Sequence, residues 1–232
     1  MTSLEFRDRL ARRARRAKAP LTLAMLGPLE AYFRLLTLWN SKINLTALPL
    51  EAPTDETFDR LLVEPLAAAP HLEGGQTGGR RGVTHPSDPK VWIDLGSGGG
   101  SPAIPLLIAR PTLALTMIES KTRKAAFLRE AVRAVGVTAS VVDERFEDLA
   151  QRAEFAHVAD IVTVRAVKAD PALFETAIQM LKDTGRLFLF RPSHDPSPDP
   201  SGLARVSTVQ LTDAPQAFLC GYRRVFHVEQ SR

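Results

Sequence analysis

The chain has little of what holds small secreted or metal-dependent proteins together. Its 232 residues include one cysteine, Cys220, which excludes an internal disulfide and a cysteine-rich metal site. The five histidines are scattered without ligand spacing, so no structural metal is expected. No apolar run approaches the roughly 20 residues that cross a bilayer, and the N-terminus lacks the apolar core of a secretion signal. These absences point to a soluble, cytoplasmic protein without membrane contact. There are no internal repeats.

What is present suffices for one sizeable core with a small appendage, since 44% of the residues are hydrophobic. The net charge of +4 is unevenly spread. Arg7, Arg9, Arg12, Arg13, Arg15, Arg16 and Lys18 crowd one short stretch against a single acid, Asp8. Such a cluster draws polyphosphate chains by releasing their counterions. It reads equally well as a solvated helix face.

The most informative stretch is Val91-Trp92-Ile93-Asp94-Leu95-Gly96-Ser97-Gly98-Gly99-Gly100. Its apolar half reads as a buried parallel strand, its glycines as a turn, and the pattern from 102 to 110 as a helix. Glycine lets the backbone turn tightly and approach a ligand, with helix N-terminal amides aimed at it. The next apolar run, Ala114 to Ile118, ends on Glu119. An acid about 20 residues beyond the glycines is placed to accept both hydroxyls of a ribose. The pattern is not the dinucleotide fingerprint, because Ser101 stands where a third glycine would be, so an NAD-type oxidoreductase is disfavoured. A plain packing turn is the bland alternative.

Residues 4 to 17 fit a short basic helix, and Leu29, Tyr32, Phe33, Leu36 and Trp39 follow helical spacing to a helix end near Asn40. Phe58, Leu61, Leu62, Leu66 and Ala69 predict a further helix, bent near Pro65. Residues 74 to 89 have little to bury and read as a linker. Beyond it come strand 91 to 95, helix 102 to 110, strand 114 to 119, helix 121 to 135, strands 138 to 143 and 160 to 165, helix 170 to 182 and strand 186 to 191. A proline-rich loop from 194 to 200 precedes a closing hairpin near 203 to 211 and 217 to 228. Such alternation predicts an α/β protein, its mostly parallel sheet covered by helices on both faces. The organisation expected is an N-terminal helical extension (1–73), the linker (74–89) and an α/β domain (90–232).

The form Asp94-Leu95-Gly96-Ser97-Gly98-Gly99-Gly100 resembles the first motif of Rossmann-like class I S-adenosylmethionine-dependent methyltransferases. A second string, Trp39-Asn40-Ser41-Lys42-Ile43-Asn44-Leu45-Thr46-Ala47, is not shared by methyltransferases in general. Together with Ile104-Pro105-Leu106, Glu119-Ser120, Phe127-Leu128-Arg129, Arg145-Phe146-Glu147, Val164-Arg165-Ala166 and Gly185-Arg186, it resembles the small-subunit ribosomal RNA methyltransferase G family, also called glucose-inhibited division protein B. Trp39, Ile43 and Leu45 also read as core, with Asn40 and Asn44 capping a helix end.

The resemblance implies S-adenosylmethionine as cofactor and 16S ribosomal RNA, or the small ribosomal subunit, as partner, with N7 of a guanine as methyl acceptor. It places the cofactor against Asp94, Gly96, Gly98, the turn through Ser101, Glu119, Phe146, Glu147 and Arg165. Lys121, Arg123, Lys124, Arg165, Arg191 and the N-terminal arginines are the expected phosphate contacts. Guanine N7 has a lone pair and no proton, so no dedicated catalytic base is expected, and Arg165 is the candidate for positioning. Replacing Arg165 by alanine is expected to cut methyl transfer while leaving the fold intact. Arg165 also reads as a surface arginine finishing a strand. The chain departs from the family pattern at Leu61, in place of histidine, at Glu64, in place of aspartate, and at Ser101 and Arg191-Pro192. The changes at Leu61, Ser101 and Pro192 keep open a non-catalytic RNA-binding or assembly protein retaining the fold, and a methyltransferase of the same fold acting on a small molecule or a protein is a separate alternative.

Overall fold

The computed structural model describes residues 1–72, 89–165, 171–192 and 199–225. Helix α1 (Ser3–Arg16) begins at a capping box, in which the Thr2 hydroxyl accepts from the Glu5 amide while the Glu5 carboxylate accepts from the Thr2 amide. It buries Phe6, Leu10 and Ala14. Helix α2 (Leu23–Asn40) buries the stripe Leu29, Tyr32, Phe33 and Leu36 and ends where the spacing predicts. The rings of Phe6, Phe33 and Phe58 meet at 5.3–5.5 Å between centroids, locking α1 and α2 to α3 (Asp55–Phe58).

The predicted bend is a π-helical turn at Asp59–Val63, leading into α4 (Glu64–Ala68). Its cause is Pro65. Having no N–H, proline cannot serve the carbonyl four residues back in an α-helix or five back in a π-helix, and these belong to Leu61 and Arg60. Both carbonyls turn to partners elsewhere in the fold, described below.

Strand β1 (Val91–Leu95), α5 (Ala103–Ala109), β2 (Ala114–Ile118), α6 (Thr122–Val135) and β3 (Ala139–Val142) follow the predicted alternation. Then come α7 (Phe146–Leu149), β4 (Ala159–Arg165), α8 (Pro171–Met180), β5 (Leu181–Pro192) and the hairpin β6 (Leu203–Asp213) with β7 (Gln216–Arg224). Sequence periodicity missed α7, which is too short to show a helical period. Pairing of β5 with β4 jumps from Leu181 to Arg186, so the strand begins earlier than predicted but runs regularly only from 186. Gly185 sits at that irregularity, where a Cβ would lie 2.6 Å from the Ala159 carbonyl oxygen. The expected linker up to residue 88, residue 170, most of the proline-rich loop and the last strand beyond 225 lie outside the described residues.

The strands form one sheet in the order β3-β2-β1-β4-β5-β7-β6. The first five are mutually parallel, and β7 enters antiparallel between β5 and β6. This is the Rossmann-like arrangement of class I methyltransferases, whose order reverses beside β1, the place where such sheets bind ligands. Side chains of β1 alternate between two cores. Trp92 joins Phe6, Tyr32, Leu36, Phe58, Met117 and Phe127, whereas Ile93 and Leu95 join Val162, Leu173, Met180 and Tyr222. The N-terminal helices therefore share one continuous core with α5, α6 and one face of the sheet.

Candidate active site at the glycine turn

Strand β1 ends in a turn that only glycine can make at several points. Gly96, Gly98 and Gly100 have φ of 69°, 53° and 80°. At Gly100 space is short as well, since a Cβ would sit 2.7 Å from Ile104 Cδ1. Gly100→Ala should therefore cost about 2 kcal/mol or more of stability, read by urea denaturation, and an unchanged midpoint would refute the packing argument. Amides of Gly96 and Ser97 donate to the Ile118 carbonyl at 2.9 and 3.0 Å, tying the turn to the end of β2.

Beneath the turn lies a buried polar chain. Trp92 Nε1 donates to the Thr163 hydroxyl at 2.8 Å, Thr163 donates to one Asp94 carboxylate oxygen, and Ser97 donates to the other at 2.6 Å. Burial pushes the Asp94 carboxyl up, to about 6, against the lowering effect of its two hydroxyl donors. A carboxyl raised in the folded state favours folding most below its unfolded pKa of about 4, and that contribution is lost as pH rises through the folded value. The stability of the wild type relative to Asp94→Asn should thus fall by about 2 kcal/mol between about pH 4 and pH 6. Denaturation of both proteins across that range checks it, and a difference flat with pH would sink it.

Above the turn, the N-terminal segment closes in. The buried Tyr32 hydroxyl donates to the Gly99 carbonyl at 2.6 Å, and burial raises its pKa. Asn40 accepts from the amides of Leu45 and Thr46 at 2.8 and 2.9 Å, folding the chain after α2 back onto the turn. Gly99 faces the result, with a Cβ there 3.2 Å from the Leu45 carbonyl oxygen.

At the end of β4, Arg165 reaches the π-helical turn. It donates to the Arg60 carbonyl at 2.6 Å and to Ser101 Oγ at 3.0 Å, and it forms an ion pair with Glu64. Ser101 in turn donates to the Leu61 carbonyl at 2.9 Å. The two carbonyls that Pro65 leaves unserved are thereby satisfied from the end of β4 and from the turn after β1. Burial raises the Glu64 carboxyl and lowers the Arg165 guanidinium, each opposed by the charge of the other.

These elements enclose a cleft of about 1180 Å³. Its floor is the turn from Gly96 to Gly99 with Glu119, one wall is Leu45 to Leu48 with Arg60 and Leu61, and the far rim is the β6–β7 tip, Asp213 to Gln216. Glu119 is fixed by two amides, accepting from Gly98 at 2.8 Å and Lys121 at 2.9 Å.

Comparison with known proteins gives one answer. A family model described as rRNA small subunit methyltransferase G matches residues 25–197. The chain belongs to that family. Curated relatives named Ribosomal RNA small subunit methyltransferase G include one from Xanthomonas axonopodis pv. citri, 33% identical over 74% of this chain and 71% of its own. Another, from Neisseria meningitidis, is 35% identical over 68% of this chain and 66% of its own. Among solved structures, a SAM dependent methyltransferase from Aquifex aeolicus aligns over 59% of this chain and 82% of its own, at 12% identity and a TM-score of 0.47, too distant to bear on function.

Of the family-type site residues, Gly96, Gly98, Ser101, Glu119, Phe146, Arg165 and Lys124 line the cleft. Asp94 does not, being 1% exposed beneath the turn, and its place is structural support for the glycines. Glu147 lies off the cleft wall, with its side chain paired to Arg145 at 3.0 Å. Lys121 and Arg123 are exposed at the start of α6. Arg191 corrects the expectation of a phosphate contact: it is 7% exposed within β5, close enough to Asp199 and Tyr222 to act on both electrostatically. A buried arginine offers a phosphate no surface. Arg165 is no surface arginine either, since it is the strut between β4 and the N-terminal segment. Tyr32, Thr163 and the β6–β7 tip escaped sequence reasoning, because nothing local marks a core tyrosine, a strand threonine or a hairpin as neighbours of a turn distant in the chain. Among the described residues no group of His, Cys, Asp and Glu is arranged to hold a metal ion, and no helix is long and apolar enough to cross a membrane.

Proposed function

We propose that the cleft binds S-adenosylmethionine and that the protein methylates N7 of a guanine in 16S ribosomal RNA, acting in the cytoplasm on the RNA or the small subunit. The carrying observation is Glu119. A carboxylate has about four acceptor sites, and the amides of Gly98 and Lys121 use two, leaving two for the hydroxyls of a ribose. The residues around it fit the same ligand. A Cβ on Gly98 would meet only the Gly96 carbonyl oxygen, at 3.7 Å, so the space over the turn is open. Phe146 adds an apolar surface to the cleft wall, suited to a flat purine.

Bound there, S-adenosylmethionine supplies an electrophilic methyl group. Guanine N7 carries a lone pair and no proton, so the chain need not provide a base. Its contribution is to hold both partners in register, which is worth about 7–11 kcal/mol in favourable cases. Asp94 and Ser97 keep the turn rigid, Glu119 orients the ribose, and Arg165 with Ser101 fixes the segment that walls the cleft. N7 lies on the Hoogsteen edge, hidden in the deep groove of an RNA helix, so the base must be unpaired or splayed out to enter. Lys124 on the wall and Lys121 and Arg123 beside it provide positive charge for the neighbouring phosphates.

The test is methyl transfer from labelled donor to 16S RNA and to small subunits lacking the modification, with mass mapping of the product. The expected product is 7-methylguanosine at one nucleotide. Label on another base atom would overturn the N7 assignment, and a labelled protein or small molecule, or no transfer at all, would overturn the function.

A further inference from the structure

Helix α1 carries arginines of two kinds. Arg7 pairs with Glu30, Arg9 with Asp55, and Arg13 with Asp55 and Asp59, so these three staple the helix to α2, α3 and the π-helical turn. Arg12, Arg15 and Arg16 are exposed and make no ion pair or side-chain hydrogen bond with a described residue. Three and four positions apart, they occupy about 100° of the helix circumference, opposite the buried Phe6, Leu10 and Ala14. The end of α1 also meets the rim of the cleft. Arg16 and Ala17 share a small hollow with Thr212, Asp213 and Ala214, and Asp213 and Ala214 are part of the rim already described. The family match begins at residue 25, beyond this helix, so membership does not account for it.

We propose that Arg12, Arg15 and Arg16 form a docking surface for an RNA phosphate backbone, from which the strand passes over the β6–β7 tip toward the cleft. The proposal rests on the function inferred above and extends it by naming where the RNA is held outside the reaction centre. Guanidinium groups suit phosphate oxygens because their planar N–H forks match them bidentately. An anionic membrane is the poorer partner, because the apolar face that would enter it is spent on the core.

The test compares the full chain with Arg12→Gln/Arg15→Gln/Arg16→Gln, glutamine being as good a helix former as arginine. Binding of a 16S RNA transcript is measured between about 50 and 200 mM salt, with donor affinity and methyl-transfer kinetics alongside. Kd and KM for RNA should rise about 30-fold, kcat and donor affinity should hold, and the log–log salt slope should drop by about 2. If the triple variant loses helix by circular dichroism, the single variants carry the test, each lowering the slope by about 0.7–0.9. Unchanged RNA affinity and slope would overturn the proposal, including the case in which only the melting temperature falls because these arginines merely complement the helix dipole. Wild-type protein that binds RNA but transfers no methyl group would end the functional reading while a reduced slope in the variant still upheld the surface. Wild-type protein that fails to bind RNA would end the surface itself.

Discussion

Glu119→Ala should raise the dissociation constant for S-adenosylmethionine about 100-fold, close to 2.7 kcal/mol. The figure follows from two hydrogen bonds to a charged acceptor, at about 1.5–3 kcal/mol each, less what water restores in an open cleft. The fold should survive, because the carboxylate releases the amides of Gly98, which lines the cleft, and Lys121, which is exposed, and both can turn to solvent. Titration calorimetry separates the two effects when run beside a thermal melt. Donor affinity within about threefold of wild type, in a variant that melts normally, would mean that the ribose is held elsewhere. It would also leave the turn without its assigned ligand.

Arg165→Ala has the larger effect on stability, and here the structure revises what the sequence suggested. Seen only as an arginine ending a strand, its removal should spare the fold. In the structure Glu64 is buried with a side chain 1% exposed, and Arg165 is its close counter-charge, Arg60 standing off at 3.9 Å. Removing one member of such a pair costs about 3–5 kcal/mol, because the other stays buried and charged. The Arg60 carbonyl, whose π-helical partner would be the N–H that Pro65 lacks, loses its 2.6 Å donor as well and keeps only Ser101 Oγ at 3.5 Å. Burial already raises the Glu64 carboxyl, and loss of Arg165 raises it further, so the variant's deficit should shrink in acid, where Glu64 is neutral, and grow as pH rises through its folded pKa. Replacing both partners, as Arg165→Met with Glu64→Leu, should recover most of the loss, since a well-packed apolar pair costs little relative to a buried ion pair. Guanidinium denaturation at two pH values decides. Single and double variants of equal stability would remove the strut.

The same pair gives defined places in the fold to Leu61 and Glu64, where the sequence is expected to depart from the family pattern. Glutamate keeps the charge that Arg165 needs, and Leu61 contributes its carbonyl to Ser101, a role indifferent to the side chain. Ser101 is therefore more than a missing glycine. Its hydroxyl links Arg165, the glycine turn and the π-helical turn.

The sequence by itself determined the alternating strands and helices, the glycine turn and the acid ending β2. Each is written in a local period or in a backbone need that few residues meet: apolar runs for buried parallel strands, glycine for positive φ. It also carried the family, through strings long enough to be specific. Only the tertiary structure decided that Asp94 supports the turn instead of facing the cleft, that Arg191 is buried, that Arg165 belongs to a strut, and that three arginines of α1 are left facing solvent. Those outcomes depend on which charge finds which partner across 46 to 105 residues of chain. A charged side chain looks the same in sequence whether it is paired, buried or exposed, and packing alone makes the choice.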